Sequence, residues 1–327
     1  MKSSRKSVRT KESALPELRF EDQRLTSFAG LVVLQKFFQV NQFKAQLQPC
    51  FRHLAPGKIF DRTTIFLQLV LHVLLGFREL RDGDHYRDDP LVQRVLGLKR
   101  LPDVATISRM LKEADETSVR KLRQLLGQLV LDRLASLVLP RSTLDFDGSV
   151  QSTQRRAEGS AVGFNKKKKG ARSYYPLFCT VAQTGQVLNF LHRSGNVHDS
   201  NGAQAFILSC VEQVRSVLPG VIIEVRMDSA FFSDEIVTAL DKQGVQFTIS
   251  VPFERFVELK QMIEQRQRWF ALNKDVSYFE SQWKPKSWKR RCRFLMIRTR
   301  TKQQQKGPLQ LDLFEPYAYG YEFKAVS

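Results

Sequence analysis

Two aspartates at the ends of short apolar runs are the residues best placed to do chemistry in this chain. Asp147 lies in Leu144-Asp145-Phe146-Asp147-Gly148-Ser149, and Asp228 in Val221-Ile222-Ile223-Glu224-Val225-Arg226-Met227-Asp228-Ser229. β-rich runs that stop on an acid followed by Gly or Ser bring carboxylates to the rim of a sheet, the edge where open α/β sheets assemble their sites. Around these acids the chain is basic. Lys and Arg number 52 against 33 Asp and Glu, a formal charge of +19 with a pI near 10.0. Carboxylates able to hold a divalent cation, in a protein suited to polyanions, imply phosphodiester chemistry on nucleic acid.

The elements that position the two acids follow from hydrophobic periodicity. Leu144 to Gly148 reads as a short strand, and Tyr175–Ala182 with Val187–His192 as a hairpin around Gln183-Thr184-Gly185-Gln186. Asn201 to Leu218 is an amphipathic helix closed by Pro219-Gly220, and Val221 to Met227 a buried strand. Ser233 caps a helix that stops at Gly244, and Val245 to Val251 is a further strand. The order is strand, strand, strand, helix, strand, helix, strand, which is that of an RNase H-like core: a mixed sheet with flanking helices. Residues 150–173, with Lys166-Lys167-Lys168-Lys169-Gly170, read as a polar loop.

The remaining stretches read differently. Residues 1–25 form a basic arm with Lys2, Arg5, Lys6, Arg9 and Lys11. Residues 26–139 are patterned as an all-α domain. Residues 253–327 are a β-rich region entered by a helix from about Glu254 to Gln267. Val276–Trp283 and Trp288–Thr299 form its hairpin, and a last strand starts at Tyr319. Residues 281–310 hold ten Lys or Arg and no acid. The predicted domains are therefore 1–25, 26–139, 140–252 and 253–327.

Composition excludes several classes. Cys50, Cys179, Cys210 and Cys292 form no C-x-x-C pair, so neither a zinc ribbon nor a disulfide framework is indicated. The first 18 residues lack the apolar stretch of a secretory signal. Thr64 to Phe77, the most apolar run, is short for a membrane span and contains Gln68 and His72, as a buried core helix would. No Walker-type loop occurs, so no nucleotide cofactor is expected. These features fit a cytoplasmic protein with no membrane partner.

At these residues the chain resembles the DDE-type transposases of bacterial insertion sequences, in the group-1 DDE domain class, and is most similar to insertion-sequence family 1380. The likeness rests on the Leu-Asp-Phe-Asp-Gly-Ser strand, Tyr174-Tyr175-Pro176-Leu177 and Arg193-Ser194-Gly195-Asn196-Val197-His198. It continues through Arg226-Met227-Asp228-Ser229-Ala230-Phe231-Phe232 and Gly244-Val245-Gln246-Phe247. In the helical third it takes in Leu101-Pro102 followed by Thr106-Ile107-Ser108-Arg109. The resemblance implies a nucleoid-associated protein, working as a homodimer. It would cut DNA at terminal inverted repeats and join the 3′-ends to a target by two-metal phosphodiester chemistry, using two Mg²⁺ (or Mn²⁺) ions held by three acids. Asp147 matches the first acid and Asp228 the second. Asp145 shares the strand face of Asp147 and is an alternative ligand or a supporting partner; Gly148, which leaves room for DNA, favours Asp147. The family's third acid is a glutamate in the pattern Tyr, two residues, Arg, three residues, Glu, six residues, Lys. This pattern is absent, and Glu315 and Glu322 lie beside a strand instead. The expectation is a polypeptide truncated before the third acid and inactive as it stands. Two alternatives follow: a non-catalytic DNA-binding regulator of transposition, or a host RNase H-like nuclease using another acid such as Glu322.

Several residues admit two readings. Lys166, Lys167, Lys168, Lys169 and Arg172 either grip DNA phosphate beside the first acid or form a solvated loop. The same choice holds for Lys284, Lys289, Arg290, Arg291 and Arg293, among which Trp283 and Trp288 either stack on an unpaired base or pack the hairpin. Arg109, on a helix with Ser108 and Lys112, reads either as a recognition-helix residue or as the outer face of a core helix. His198-Asp199 reads as a loop feature opening the next helix.

Overall fold

Helices build the first part of the chain. The computed structural model describes residues 25–153, 156–163, 165, 167–198, 201–300 and 321–327. The helices are α1 (Leu31–Val40), α2 (Phe43–Phe51), α3 (Arg62–Leu74), α4 (Pro90–Leu96), α5 (Val104–Lys112) and the long α6 (Glu116–Ala135). Their starts are chemically marked. The side chain of Asp61 accepts from Thr64 N, Asp89 from Leu91 N and Val92 N ahead of Pro90, and Asp103 from Thr106 N. α4 stops at Gly97, whose φ of 65° suits a residue without Cβ. The apolar α3 buries Leu71 together with Gln68 and His72. His72 Nδ1 lies 2.8 Å from the Tyr86 hydroxyl inside the core, and burial raises the tyrosine pKa. No described helix is long and apolar enough to cross a membrane.

Two compact units part within α6, between Leu126 and Gly127. The second unit is built on β1 (Arg141–Gly148), β2 (Gln151–Ser152), β3 (Ala161–Val162), β4 (Arg172–Tyr174), β5 (Leu177–Val181) and β6 (Gln186–Leu191). Then come α7 (Ala203–Val217), β7 (Ile222–Met227), α8 (Asp234–Lys242), β8 (Gln246–Val251) and α9 (Val257–Glu264). β9 (Phe270–Ala271), β10 (Val276–Trp283), β11 (Cys292–Arg300) and β12 (Tyr321–Val326) complete it. Nine of these strands form one sheet in the order β6-β5-β1-β7-β8-β12-β11-β10-β9. β1, β7 and β8 run parallel, while β5 is antiparallel to β1 and β6 to β5. A first strand between an antiparallel hairpin and two parallel strands, with helices on the crossovers, is the RNase H-like arrangement that the strand and helix order predicts.

Period-two alternation decides which face of the sheet is covered. Leu144 and Phe146, Leu177, Cys179 and Val181, and Ile223, Val225 and Met227 are buried on one face. There they pack with Phe206, Ile207 and Cys210 of α7, Ile236, Val237 and Leu240 of α8, and Val130, Leu131 and Leu134 of α6. Phe146 meets Phe206 edge to face at 5.9 Å. The opposite face carries Asp145, Asp147, Thr180 and Arg226. The C-terminal region extends the sheet through Ala325↔Val251 and packs Phe279, Phe294 and Met296 against Leu259 and Ile263 of α9.

One expectation is corrected and one open reading is decided. Residues 150–173, read as a polar loop, contain β2, β3 and β4, which form a second sheet in the order β2-β4-β3. Strands of two or three residues leave no periodicity to detect. Trp283 and Trp288 do not stand out to meet bases; both are buried, Trp288 at 4.6 Å from the Phe232 ring and Trp283 at 5.0 Å from Phe256. They pack the hairpin onto the core, the second of the two readings. Gly195, in the Arg-Ser-Gly-Asn segment, is required by close approach: a Cβ there would lie 2.4 Å from Ser173 O. The same segment is locked by Arg193, which is buried and donates to the carbonyls of Tyr175, His198 and Asn201.

Candidate active site

The parallel register of β1 and β7 runs from Arg141↔Ile222 to Phe146↔Met227. Asp147 and Asp228 are the next residue on each strand. Adjacent strands lie about 4.8 Å apart, and residues side by side share a face. The two carboxylates therefore leave the sheet together at the C-terminal ends of neighbouring strands, and both residues are exposed. At Asp228 the strand stops because its side chain accepts from Ala230 N at 2.9 Å and turns the chain into a 3-10 segment, Ser229–Phe231. The Asp147 side chain makes no hydrogen bond or ion pair with a described residue. Its antiparallel neighbour is Phe178, which packs on Phe190 at 6.1 Å and gives the acids a half-buried aromatic flank.

Asp145 is engaged elsewhere. Its two oxygens accept from Arg226 Nε at 2.6 Å and Nη2 at 2.8 Å, across the register pair Asp145↔Arg226. The hydrogen bond to Asp145 raises the pKa of the guanidinium, as a charge-assisted pair does. Arg226 was not singled out in the sequence. Parity puts it on the face of Asp228, but only the register shows that it meets Asp145.

Two carboxylates at one sheet edge suit a hard divalent cation, which takes one or two carboxylates and completes its shell with water and phosphate oxygens. Among the described residues no group of three His, Cys, Asp or Glu could hold a metal. Asp147 and Asp228 are the donors that the β1–β7 register brings together for such an ion. Glu322 stands on β12 opposite Thr299, separated from β7 by β8 and with Lys324 beside it. Asp199 and Glu315 lie outside the described residues.

The basic residues predicted to meet DNA fall in three places. Lys167, Lys168 and Lys169 are exposed on the turn between β3 and β4; Lys166 lies outside the described residues. The buried Asn165 shapes that turn, accepting from Lys168 N and donating to Ser152 Oγ. Arg172 is turned inward to Ser160 Oγ at 3.1 Å. In the second group Lys284 donates to the carbonyl of Trp288, Arg290 pairs with Asp241, and Arg293 forms a bidentate pair with Glu280 at 2.9 and 2.6 Å. That pair lowers the Glu280 pKa and raises that of Arg293. Lys289 and Arg291 are exposed. In the helical unit Arg109 points outward from α5, held by Ala105 O and Thr106 Oγ1, while Ile107 and Met110 are buried.

Several solved structures are similar to this chain. A piggyBac transposase synaptic complex with hairpin DNA matches at 13% identity and a TM-score of 0.42, over 88% of this chain and 57% of that one. A Mos1 transposase paired-end complex with left transposon end matches at 12% identity and TM-score 0.25, over 70% and 68%. A Drosophila P element transposase strand transfer complex matches at 11% identity and TM-score 0.29, over 65% and 43%. The chain thus spans little more than half the length of the piggyBac protein. No curated protein sequence matches. The family model described as transposase DDE domain group 1 matches residues 9–308, nearly the whole sequence and both acids: the chain belongs to the group 1 DDE transposase family.

Proposed function

We propose that this chain is the DNA-cutting and joining protein of a bacterial insertion sequence, acting at terminal inverted repeats. Its acids Asp147 and Asp228 would hold Mg²⁺ or Mn²⁺. The observation that carries the reading is the β1–β7 register, which leaves two aspartates side by side at one sheet edge. A divalent cation held there would polarise the scissile phosphodiester and acidify an attacking water. The chain's own contributions are orientation and charge. The hydrogen bond from Ala230 N aims the Asp228 carboxylate, and the Arg226 clamp keeps Asp145 from competing with Asp147. Lys167, Lys168 and Lys169, on the turn between β3 and β4, supply positive charge for a DNA backbone. Residues 26–139 would bind DNA and assemble two copies, 140–252 form the catalytic core, and 253–327 form an inserted region. In this reading the protein works in the cytoplasm, bound to the nucleoid.

A second reading is a DNA-binding regulator without cutting activity, supported by the +19 charge, which needs no metal. Mn²⁺ binding by calorimetry and strand cleavage of an inverted-repeat duplex separate the two. In the first reading Asp147→Asn and Asp228→Asn each abolish both metal binding and cleavage. Tight, salt-dependent DNA binding with no cleavage by the unaltered chain would favour the regulator. Metal-dependent cutting of DNA that lacks any transposon end would point to a general nuclease.

A further inference from the structure

The short strands past the acid edge continue the ladders of the large sheet. Asp147↔Phe178 and Gln151↔Tyr174 keep one offset, and Ser149 N donates to Pro176 O between them, so β2 and β4 prolong the β1–β5 pair beyond the acids. Phe178↔Phe190 and Tyr174↔Ser194 keep a second offset, with Tyr175 N donating to Arg193 O, which prolongs β5–β6 in the same direction. Period-two alternation then puts Asp147, Phe178, Phe190, His192 and Tyr174 on one face. At the far end of this strip the rings of Tyr174 and His192 lie against each other, with centroids 4.6 Å apart. The Tyr174 hydroxyl donates to the Glu158 carbonyl, which fixes its ring. His192 is exposed, and its side chain makes no hydrogen bond or ion pair with a described residue. An exposed ring laid on an anchored one is a platform with one face open.

We propose that Tyr174 and His192 form a stacking seat for one unpaired base of the DNA strand whose phosphate lies at the acids. The seat rests on the DNA-cutting reading for the strand it holds, and needs no metal itself. With about 3.3 Å per residue and 4.8 Å between strands, the two positions stand roughly 12–14 Å from Asp147, too far to join the chemistry there. That separation is about four nucleotides of a stacked strand. Charge selects the occupant. Lys167, Lys168 and Lys169 are exposed on the turn that enters β4, and the whole chain carries +19, so a polyanion is the complementary partner. Inside a duplex the base faces are covered by their neighbours, whereas a base at a cut or frayed end offers one to an aromatic ring.

The test uses the full chain in EDTA and three labelled DNA duplexes: blunt, with a 3′ overhang of about four nucleotides, and with the same overhang made of abasic sites. Fluorescence anisotropy is expected to show the base-bearing overhang bound about tenfold tighter than the other two. His192→Ala should remove that preference with an unchanged thermal midpoint, since the side chain is exposed, and His192→Phe should keep it, since a ring remains. Equal binding of the base-bearing and abasic overhangs would mean that phosphate contacts alone hold the strand, and overturns the proposal. So does a preference that survives His192→Ala, or one that His192→Phe loses. Cleavage in Mn²⁺ is scored separately. A chain that keeps the overhang preference but never cuts sinks the cutting reading and leaves the seat; a chain that cuts without the preference sinks the seat alone.

Discussion

At the scale of single residues, the division of labour between Asp145 and Asp147 is open to direct measurement. Asp145 spends both oxygens on Arg226, so Asp145→Asn should leave Mn²⁺ binding close to that of the unaltered chain, whereas Asp147→Asn should lose it; calorimetry reads both. With Asp145 and Arg226 one-third and one-half exposed, breaking the pair should cost less than about 1 kcal/mol of stability. Equal loss of metal binding in the two variants would mean that Asp145 is itself a ligand. A pH effect belongs to Glu280. Arg293 holds its folded pKa below the ordinary glutamate value, so its stabilising contribution is present above the unfolded value and is lost as pH falls through the lowered folded one. Thermal midpoints of the unaltered chain and Glu280→Gln should therefore converge in acid and separate toward neutrality. A gap independent of pH would rule the pair out as the cause.

At the scale of elements, β1 carries the site and its buried side carries the stability. Phe146 is nearly fully buried and meets Phe206 of α7, so Phe146→Ala should cost about 3–5 kcal/mol in denaturant unfolding. A loss below about 1 kcal/mol would mean the strand is not packed as described. Gly195→Ala tests the small sheet, since the new Cβ would strike the Ser173 carbonyl. Faster exchange of the amides across 171–174, with the β1–β7 pair unchanged, is the expected outcome. These elements were largely legible in advance. The apolar runs at 144–148, 177–181, 186–191, 222–227 and 246–251 follow from alternation, and the helix start at Ser233 from capping chemistry. β2, β3 and β4 escaped notice because their pairing depends on distant backbone rather than on any local pattern.

At the scale of the whole molecule, charge is the dominant property. A protein carrying +19 should bind DNA with a steep salt dependence. Lys167, Lys168 and Lys169 have no ion pair with a described residue, whereas Arg290 and Arg293 are tied to Asp241 and Glu280. Replacing the three lysines by glutamine should reduce the slope of log K against log salt by about 0.9 for each phosphate that is no longer neutralised. Replacing Arg290 and Arg293 should change the slope less and thermal stability more. Fluorescence anisotropy across a salt series distinguishes the two sets, and equal slopes for both would place the DNA path elsewhere.

By itself the sequence determined the order of the core strands and helices apart from β2, β3 and β4, the helical character of residues 26–139, the basic charge and the two aspartates at strand ends. All of these are local in origin: period-two and helical spacing, capping side chains and composition. Tertiary structure decided what distance along the chain conceals. The register of β1 on β7 set Asp147 beside Asp228 and closed Arg226 on Asp145. Packing turned Trp283 and Trp288 inward, and ion pairing removed Arg290 and Arg293 from the pool of unpartnered cations. Pairing partners are chosen by the geometry of the assembled sheet, and no single strand's sequence carries that information.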